Sequence, residues 1–107
     1  MSKKDSLINN GTIRMFWTVS NTAYDLRLAD IDIRAALSGH LHLHTNTKAK
    51  RLQVFFKSHN GWNDITAQYL LQRHDSASVM IYHPNHSDLF LTYLEDDIYE
   101  PRFLKIE

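Results

Sequence analysis

Three histidines alternate with two leucines in the stretch GHLHLHT, residues 39 to 45. Imidazole nitrogens are common zinc ligands, and alternate side chains of a β-strand point to the same face of a sheet. If this stretch is a strand, His40, His42 and His44 line one face, and Leu41 and Leu43 line the other. Three ligands in a row along a flat strand diverge, so a metal site needs a further ligand from another part of the chain.

The interpretation that we prefer for this stretch is a half-buried strand. The leucines then face the core, and the histidines face solvent. Metal binding by His40, His42 and His44 is the alternative, and no cofactor is expected under the preferred interpretation. The other histidines available as ligands are His59, His74, His83 and His86.

A second alternative is a nuclease. The motif of two histidines separated by one apolar residue occurs twice within residues 40 to 44, and it resembles the metal-binding motif of rolling-circle replication and transposition nucleases. In that family the histidines hold a divalent cation, and a tyrosine on a following helix attacks the scissile phosphate. The resemblance covers a handful of residues. It implies a metal-dependent domain that nicks single-stranded DNA, with Tyr69 as the nucleophile.

Other catalytic templates are missing from the sequence. The chain has three glycines, which are too few for a glycine-rich phosphate loop, and it has no cysteine nucleophile. No serine lies in the glycine-flanked motif of a nucleophile elbow. We therefore expect a binding domain and not an enzyme.

Charge is unevenly distributed along a chain whose formal net charge is zero. Residues 33–63 contain no acidic residue, and residues 75–100 contain neither lysine nor arginine. The two segments either lie side by side and neutralise each other, or they form separate patches that attract charged partners.

The acidic segment contains the residues that we predict to bind a protein partner. Carboxylates there surround two tyrosines in the stretch YLEDDIYEP. Aromatic side chains supply desolvated contact area, and carboxylates attract a basic surface. The predicted partner-binding residues are Tyr93, Glu95, Asp96, Asp97, Tyr99 and Glu100.

The basic segment supports an alternative, non-catalytic binding of nucleic acid. Lysine and arginine displace counterions from phosphates, and aromatic rings stack on bases. Neighbouring aromatic residues in this segment are Phe55, Phe56 and Trp62. The candidate nucleic-acid-binding residues are Lys48, Lys50, Arg51 and Lys57. Zero net charge argues against this alternative.

The pattern of apolar residues predicts a single α+β domain over residues 12–107, after a flexible N-terminal lead-in at residues 1–11. Strands are predicted over 12–20, 40–46, 51–58, 77–83 and 89–94, with a possible edge strand over 98–107 that tolerates Pro101. A helix is predicted over 59–75. Residues 21–39 fit a helix or strands, and we favour the helix because two aspartates and several alanines are poor strand residues. The expected fold is an antiparallel sheet of five or six strands with one or two helices on one face.

These observations lead to one functional hypothesis. The chain is a small inhibitor, of the immunity-protein or phage anti-defence type, that occludes a basic, nucleic-acid-handling site on a partner protein such as a toxin or defence nuclease. No apolar run reaches membrane-spanning length, and the cysteine-free composition is typical of a reducing compartment, so a cytoplasmic location is expected.

Overall fold

The computed structural model describes residues 2–8, 13–31, 37–71, 81–94 and 96–105. These residues form eight strands, one 3-10 turn at Leu28–Asp30 and one short α-helix. In chain order the elements are β1 (Ser2–Ile8), β2 (Ile13–Thr22), β3 (Leu41–Asn46), β4 (Arg51–Ser58), β5 (Gly61–Asp64), α1 (Thr66–Leu71), β6 (Tyr82–His83), β7 (His86–Leu94) and β8 (Asp97–Lys105).

The first sheet has five strands in the order β1-β2-β3-β4-β5. All neighbours are antiparallel except β2 and β3, which run parallel. Parallel neighbours require a connection that crosses over the sheet, whereas antiparallel neighbours can be joined by a tight turn. The crossover here comprises residues 23–40, and the part at 32–36 lies outside the described residues.

The second sheet is an antiparallel meander in the order β6-β7-β8. One hydrophobic core joins it to the first sheet, because buried residues of β3 and β4 share a cluster with residues of β7, β8 and α1. The cluster members are Trp17, Leu41, Leu43, Leu52, Val54, Phe56, Ile65, Tyr69, Leu89, Leu91, Tyr93 and Phe103. The leucine-bearing face of β3 therefore faces the second sheet.

The predicted α+β fold with helices packed on one face is wrong. The described residues form two packed sheets with a single helix of six residues, so the domain is almost entirely β. The five-stranded sheet is also mixed instead of antiparallel. The alternation of apolar and polar residues within a strand does not indicate which other strand it pairs with. The parallel pairing of β2 with β3 could therefore not be predicted from it.

Of the two predicted helices, one forms in part and the other does not form within the described residues. In the predicted helix over 59–75, Gly61–Asp64 is a strand and the helix begins only at Thr66, while 72–80 lie outside the described residues. In the predicted helix over 21–39, residues 23–31 are irregular apart from the 3-10 turn. The alternating leucines and isoleucines of that segment compete with its helical periodicity, and residues 23–31 form neither an α-helix nor a strand.

Several strand predictions are confirmed, and the structure adds an N-terminal strand that the sequence does not predict. β2, β3, β4 and β7 coincide with predicted strands, and β8 is an edge strand in which Pro101 pairs with Tyr93. Of the predicted strand at 77–83, only Tyr82–His83 is described as β6. Where the sequence suggests a flexible lead-in over residues 1–11, Ser2–Ile8 forms β1 and pairs with β2. No helix in the described ranges is long and apolar enough to cross a membrane.

Candidate functional site

The histidine face of β3 is closed to solvent. His42 and His44 are 0% exposed, so the prediction that the histidines face solvent is wrong. The prediction that Leu41 and Leu43 point to the opposite, core-facing side is confirmed. His40 is also buried, and its ring meets the Trp62 ring of β5 edge-on at 5.7 Å between centroids.

Hydroxyl side chains of β2 interleave with the two inner histidines. The parallel register places Thr18 opposite His42 and Ser20 opposite His44. Thr18 Oγ1 lies 2.6 Å from His42 Nδ1, and Ser20 Oγ lies 2.9 Å from His42 Nε2 and 2.7 Å from His44 Nδ1. His44 Nε2 then lies 3.0 Å from the carbonyl oxygen of Tyr24. We call this chain of hydrogen bonds the histidine ladder.

The carbonyl of Tyr24 fixes the direction of every hydrogen bond in the histidine ladder. A carbonyl only accepts, so His44 Nε2 carries a hydrogen and donates it, and Nδ1 of the neutral ring accepts from Ser20. The Ser20 hydroxyl has one hydrogen, so it accepts from His42 Nε2. His42 Nδ1 then accepts from the Thr18 hydroxyl. Both rings are neutral in this arrangement, and each of their four nitrogens has a partner.

The crossover between β2 and β3 covers this face of the sheet. Besides the Tyr24 carbonyl, Leu26 exchanges two hydrogen bonds with the Gln53 side chain of β4, at 2.8 and 3.0 Å. Asp25 accepts from Asn46 at 2.8 Å and forms an ion pair with Arg51. The hydrogen bonds from Arg51 and Asn46 hold the pKa of the Asp25 carboxyl below its usual value. Residues 24–26 of the crossover are thus held on the sheet by polar bonds.

Burial makes His42 of the histidine ladder resist protonation. Burial first, and then the proximity of His44 and His40, lowers the pKa of His42 to about 4. A proton added to Nδ1 would also face the Thr18 hydroxyl, which would have to turn its own hydrogen away. The arrangement stabilises a neutral His42 imidazole in the interior.

The structure does not assemble the metal site or the nicking site suggested by the sequence. Within the described ranges, no group of three or more His, Cys, Asp or Glu side chains is placed to hold a metal ion. Tyr69 is fully buried in the core cluster on the opposite side of β3 from His42. Its hydroxyl donates to the carbonyl of Ile98 at 3.0 Å, and burial raises its pKa, which opposes formation of a phenolate nucleophile.

A further buried histidine, His83 of β6, lies beside the start of β3. Its ring packs at a tilt on His86 and edge-on against Phe103, each at 4.9 Å between centroids, and its Nδ1 accepts from the backbone of Asn85 at 3.1 Å. Burial, followed by the proximity of His86 and His59, lowers the pKa of His83 to about 4. Gly39 packs directly on this ring, since a Cβ added there would lie 2.5 Å from His83 Nε2.

An open groove lies beside the outer edge of β4. Its volume is about 650 Å³, which is within the range of ligand pockets. The start of β4, the end of β5, α1 and the start of β8 form its walls. The lining residues are Lys50, Arg51, Leu52, Gln53, Asp64, Thr66, Leu70, Ile98 and Tyr99. We call this feature the β4 groove.

An irregularity in β8 forms one wall of the β4 groove. Along β7, the partner of Tyr93 is Pro101 but the partner of the next residue, Leu94, is Asp97. Three residues of β8, 98–100, are therefore inserted between successive pairs. Such bulges redirect side chains and are common beside binding sites. Here the bulge leaves Tyr99 49% exposed at the groove.

The structure divides the predicted partner-binding residues into two groups. Asp96, Asp97, Tyr99 and Glu100 lie together at and before the bulge, and all four have side chains that reach solvent at least in part. Tyr93 is 8% exposed, and its ring packs on Tyr69 at 4.7 Å, so it belongs to the core and is not a surface anchor. Glu95 lies outside the described side chains.

The basic residues reach solvent, but the aromatic residues near them do not. Lys48 and Lys50 are exposed in the turn between β3 and β4, Lys57 is half-buried, and Arg51 is tied to Asp25. Phe55 and Phe56 are both buried, so neither ring is available to stack on a base. Lys50 and Arg51 share the β4 groove with Tyr99, so the basic and acidic segments do lie side by side.

Sequence reasoning missed two sets of residues for which signals exist. The hydroxyls of Thr18, Ser20 and Thr22 repeat every second residue, matching the period of the histidines, and a parallel neighbour places the two rows together. In α1, Leu70 at the groove is 37% exposed, and the next residue, Leu71, is 50% exposed. Three consecutive apolar residues, Tyr69 to Leu71, cannot all face one side of a helix, so this run signals an exposed apolar patch.

No family model matches the chain. Searches of curated proteins and of solved structures also return no match.

Proposed function

We propose that this chain is a non-catalytic protein-binding domain whose contact surface consists of the β8 bulge and the adjoining β4 groove. The observation that carries this proposal is the groove itself, where apolar side chains and an exposed tyrosine lie beside charged groups of both signs. Protein interfaces combine a desolvated aromatic or aliphatic centre with a polar rim. Tyr99, Leu70 and Ile98 would supply the centre of such an interface.

Charge on the rim supports recognition of a partner with a basic surface. Asp96 and Glu100 are exposed next to Tyr99, and Asp97 accepts from the Tyr99 backbone at 2.9 Å, which fixes the shape of the turn. These carboxylates would accelerate encounter with a positively charged surface, and added salt would weaken the effect. The finer hypothesis of an immunity-protein or anti-defence inhibitor rests on chain size and charge, and it stays a prediction. The cysteine-free composition is the basis for proposing a cytoplasmic location.

The test uses the complex captured from the native host by the tagged full chain. We expect Asp96→Lys with Asp97→Lys to slow association with the purified partner and to flatten its salt dependence, because these residues act on encounter. Tyr99→Ala should mainly accelerate dissociation, because it removes the anchor. Asp88→Lys is the matched control, since Asp88 is an exposed acid outside the surface.

One result would contradict the proposal. If both surface variants bind as wild type while Lys48→Glu with Lys50→Glu abolishes binding, the basic turn between β3 and β4 is the contact surface. Co-purification of nucleic acid that is lost in the same lysine variant would then identify the ligand class.

A further inference from the structure

The outer edge of β4 changes character along its length. At Phe56, the strand edge pairs with β5. At Val54, the corner that follows β5 occupies both backbone groups. The Ile65 amide donates to the Val54 carbonyl at 2.9 Å, and the Val54 amide donates to Thr66 Oγ1 at 2.9 Å. Backbone groups two residues apart on a strand point the same way. The amide and carbonyl of Leu52 therefore point outward, into the β4 groove.

No described backbone group occupies the Leu52 edge. The pairing of β5 with β4 ends at Phe55, and Leu52 pairs only with Thr45 of β3, on its other side. An exposed strand edge is a template for a further strand, and extended peptides bind many domains in this way. Among the described residues, the groove thus contains one backbone donor and one acceptor without a partner, next to an apolar wall.

The apolar wall lies on the correct side for an added strand. Directly opposite residues in an antiparallel pair have side chains on the same face of the sheet. The Leu52 side chain packs in the core cluster on the side of α1 and the second sheet. A residue added opposite Leu52 would therefore point its side chain toward Leu70, Ile98 and Tyr99.

Charge differs between the two ends of the groove. Lys50 precedes β4 at one end and forms no ion pair with the described residues. Asp64 lies opposite Phe55 at the other end, where its carboxylate accepts from Thr66. The separation is five strand positions, or roughly 16 Å at 3.3 Å per residue.

We propose, building on the protein-binding function above, that the β4 groove takes an extended peptide segment of the partner as an added strand, antiparallel to β4 at Leu52. The segment has an apolar residue opposite Leu52 and an acidic residue two positions later at the Lys50 end. Its pairing with β4 ends at Leu52, because Ile65 and Thr66 occupy the edge at Val54. A basic residue two positions earlier lies where the segment leaves β4, beside Asp64. The backbone of Leu52 fixes the register, and the apolar wall and the two charges select the sequence.

The direct test is binding of a fluorescent, blocked peptide with the sequence Lys-Thr-Phe-Thr-Asp to the full chain, followed by anisotropy. Methylating the phenylalanine nitrogen, which removes the donor to the Leu52 carbonyl, should weaken binding by about tenfold. The charge-swapped peptide Asp-Thr-Phe-Thr-Lys should bind more weakly to wild type and more tightly than the original peptide to Lys50→Glu with Asp64→Lys. Tyr99→Ala should lower the affinity for the original peptide without raising the affinity for the charge-swapped peptide.

Amide hydrogen exchange supplies an independent readout on the protein itself. In the free chain, the Leu52 amide should exchange faster than the amides of Val54 and Phe56, whose outward bonds are made. Saturating peptide should slow exchange at Leu52 selectively. A Leu52 amide that is already as protected as its neighbours in the free chain would overturn the proposal.

The outcomes separate this proposal from the one on which it rests. If the captured partner depends on Tyr99 and Asp96 but its binding leaves exchange at Leu52 unchanged, the strand addition is refuted and the protein-binding surface stands. Equal affinity for the original, methylated and swapped peptides also refutes strand addition. Methyl-sensitive, charge-ordered binding with protection of Leu52 supports it.

Discussion

The histidine ladder and the β4 groove are two polar regions of one sheet, and they differ in whether their polar groups have partners within the described residues. In the ladder, each nitrogen of His42 and His44 is bonded within the chain, and both side chains are 0% exposed. In the groove, the outward backbone groups of Leu52 have no partner among the described residues, and the Tyr99 side chain is 49% exposed. The ladder lies in the middle of the sheet under the crossover, and the groove lies at an edge.

The difference teaches that residue type is a poor guide to which polar group is available for function. Histidine is the commonest catalytic and metal-binding side chain, yet here the chain itself supplies a partner to each nitrogen. The groove is composed of ordinary residues, but its donors, acceptors and apolar surface are left for a ligand. Availability depends on what the neighbouring strands bring alongside, and this dependence can be tested from both sides.

Acid should destabilise the folded chain through two buried histidines, His42 of the ladder and His83. The pKa of His42 and that of His83 are each about 4 in the folded chain, compared with about 6.5 when unfolded. Below pH 6.5 the unfolded chain takes up protons that the folded chain does not, so each histidine lowers the free energy of unfolding by on the order of 3 kcal/mol between pH 6.5 and pH 4. Urea unfolding at pH 7, 5.5 and 4.5 measures the loss.

A variant separates the two contributions to this pH dependence. His42→Gln should remove about half of the slope between pH 6.5 and 4. His59→Gln, at an exposed position, should change the slope only slightly, because His59 makes the smallest contribution to the lowered pKa of His83. A free energy of unfolding that stays flat over this interval would show that both rings are protonated without cost, and the comparison with the groove would fail.

Much of the sheet could be predicted from the sequence, because alternation identifies a strand and its two faces. The strands β3, β4 and β7 and the core position of Leu41 and Leu43 followed from that pattern alone. The parallel pairing of β2 with β3 could not be predicted, because it depends on a crossover whose sequence favours no regular structure. This one pairing decides whether the histidines face water.

The proposed binding surface at the β8 bulge and the β4 groove was predicted only in part, because contacts between segments distant in sequence also decide which side chains are exposed. Exposure of Tyr99 and its acidic neighbours follows from a charged turn between strands, but the burial of Tyr93 depends on its meeting Tyr69 from a helix far away in sequence. The groove itself arises because β5 is shorter than β4, a difference in length that no local pattern encodes.

Removal of the Ser20 hydroxyl, at the centre of the ladder, should lower the free energy of unfolding by on the order of 3 kcal/mol. Ser20→Ala leaves His42 Nε2 and His44 Nδ1 without partners in a buried site, and each unsatisfied group costs about 1–3 kcal/mol. Ser87→Ala, at an exposed serine, should change stability by less than about 0.5 kcal/mol. Equal effects in chemical unfolding would mean that the ladder bonds contribute nothing.

Two glycines allow a smaller effect to be compared between a packed position and an open position. Gly39 and Gly61 both have positive φ, at 94° and 116°, so alanine at either position strains the backbone by about 1–3 kcal/mol. Only at Gly39 does the new methyl group meet a ring, His83, whereas nothing lies within 4 Å at Gly61. Gly39→Ala should therefore cost about 2 kcal/mol more than Gly61→Ala, the usual effect of overpacking. Thermal unfolding of the pair would reveal a smaller difference if the His83 ring can move aside.

The smallest effect should come from the groove. Tyr99 is 49% exposed, and its hydroxyl forms no hydrogen bond with the described residues, so Tyr99→Ala should change the free energy of unfolding by less than about 0.5 kcal/mol. The matched change Tyr69→Phe, which removes only the buried hydroxyl bonded to Ile98, should cost about 1 kcal/mol although it deletes a single atom. A surface that evolved for a partner contributes little to the folded state and much to the complex, so the two variants should exchange rank when partner affinity is measured. A loss above 2 kcal/mol in Tyr99→Ala would instead make Tyr99 a structural residue that closes the groove, and the region would then resemble the ladder.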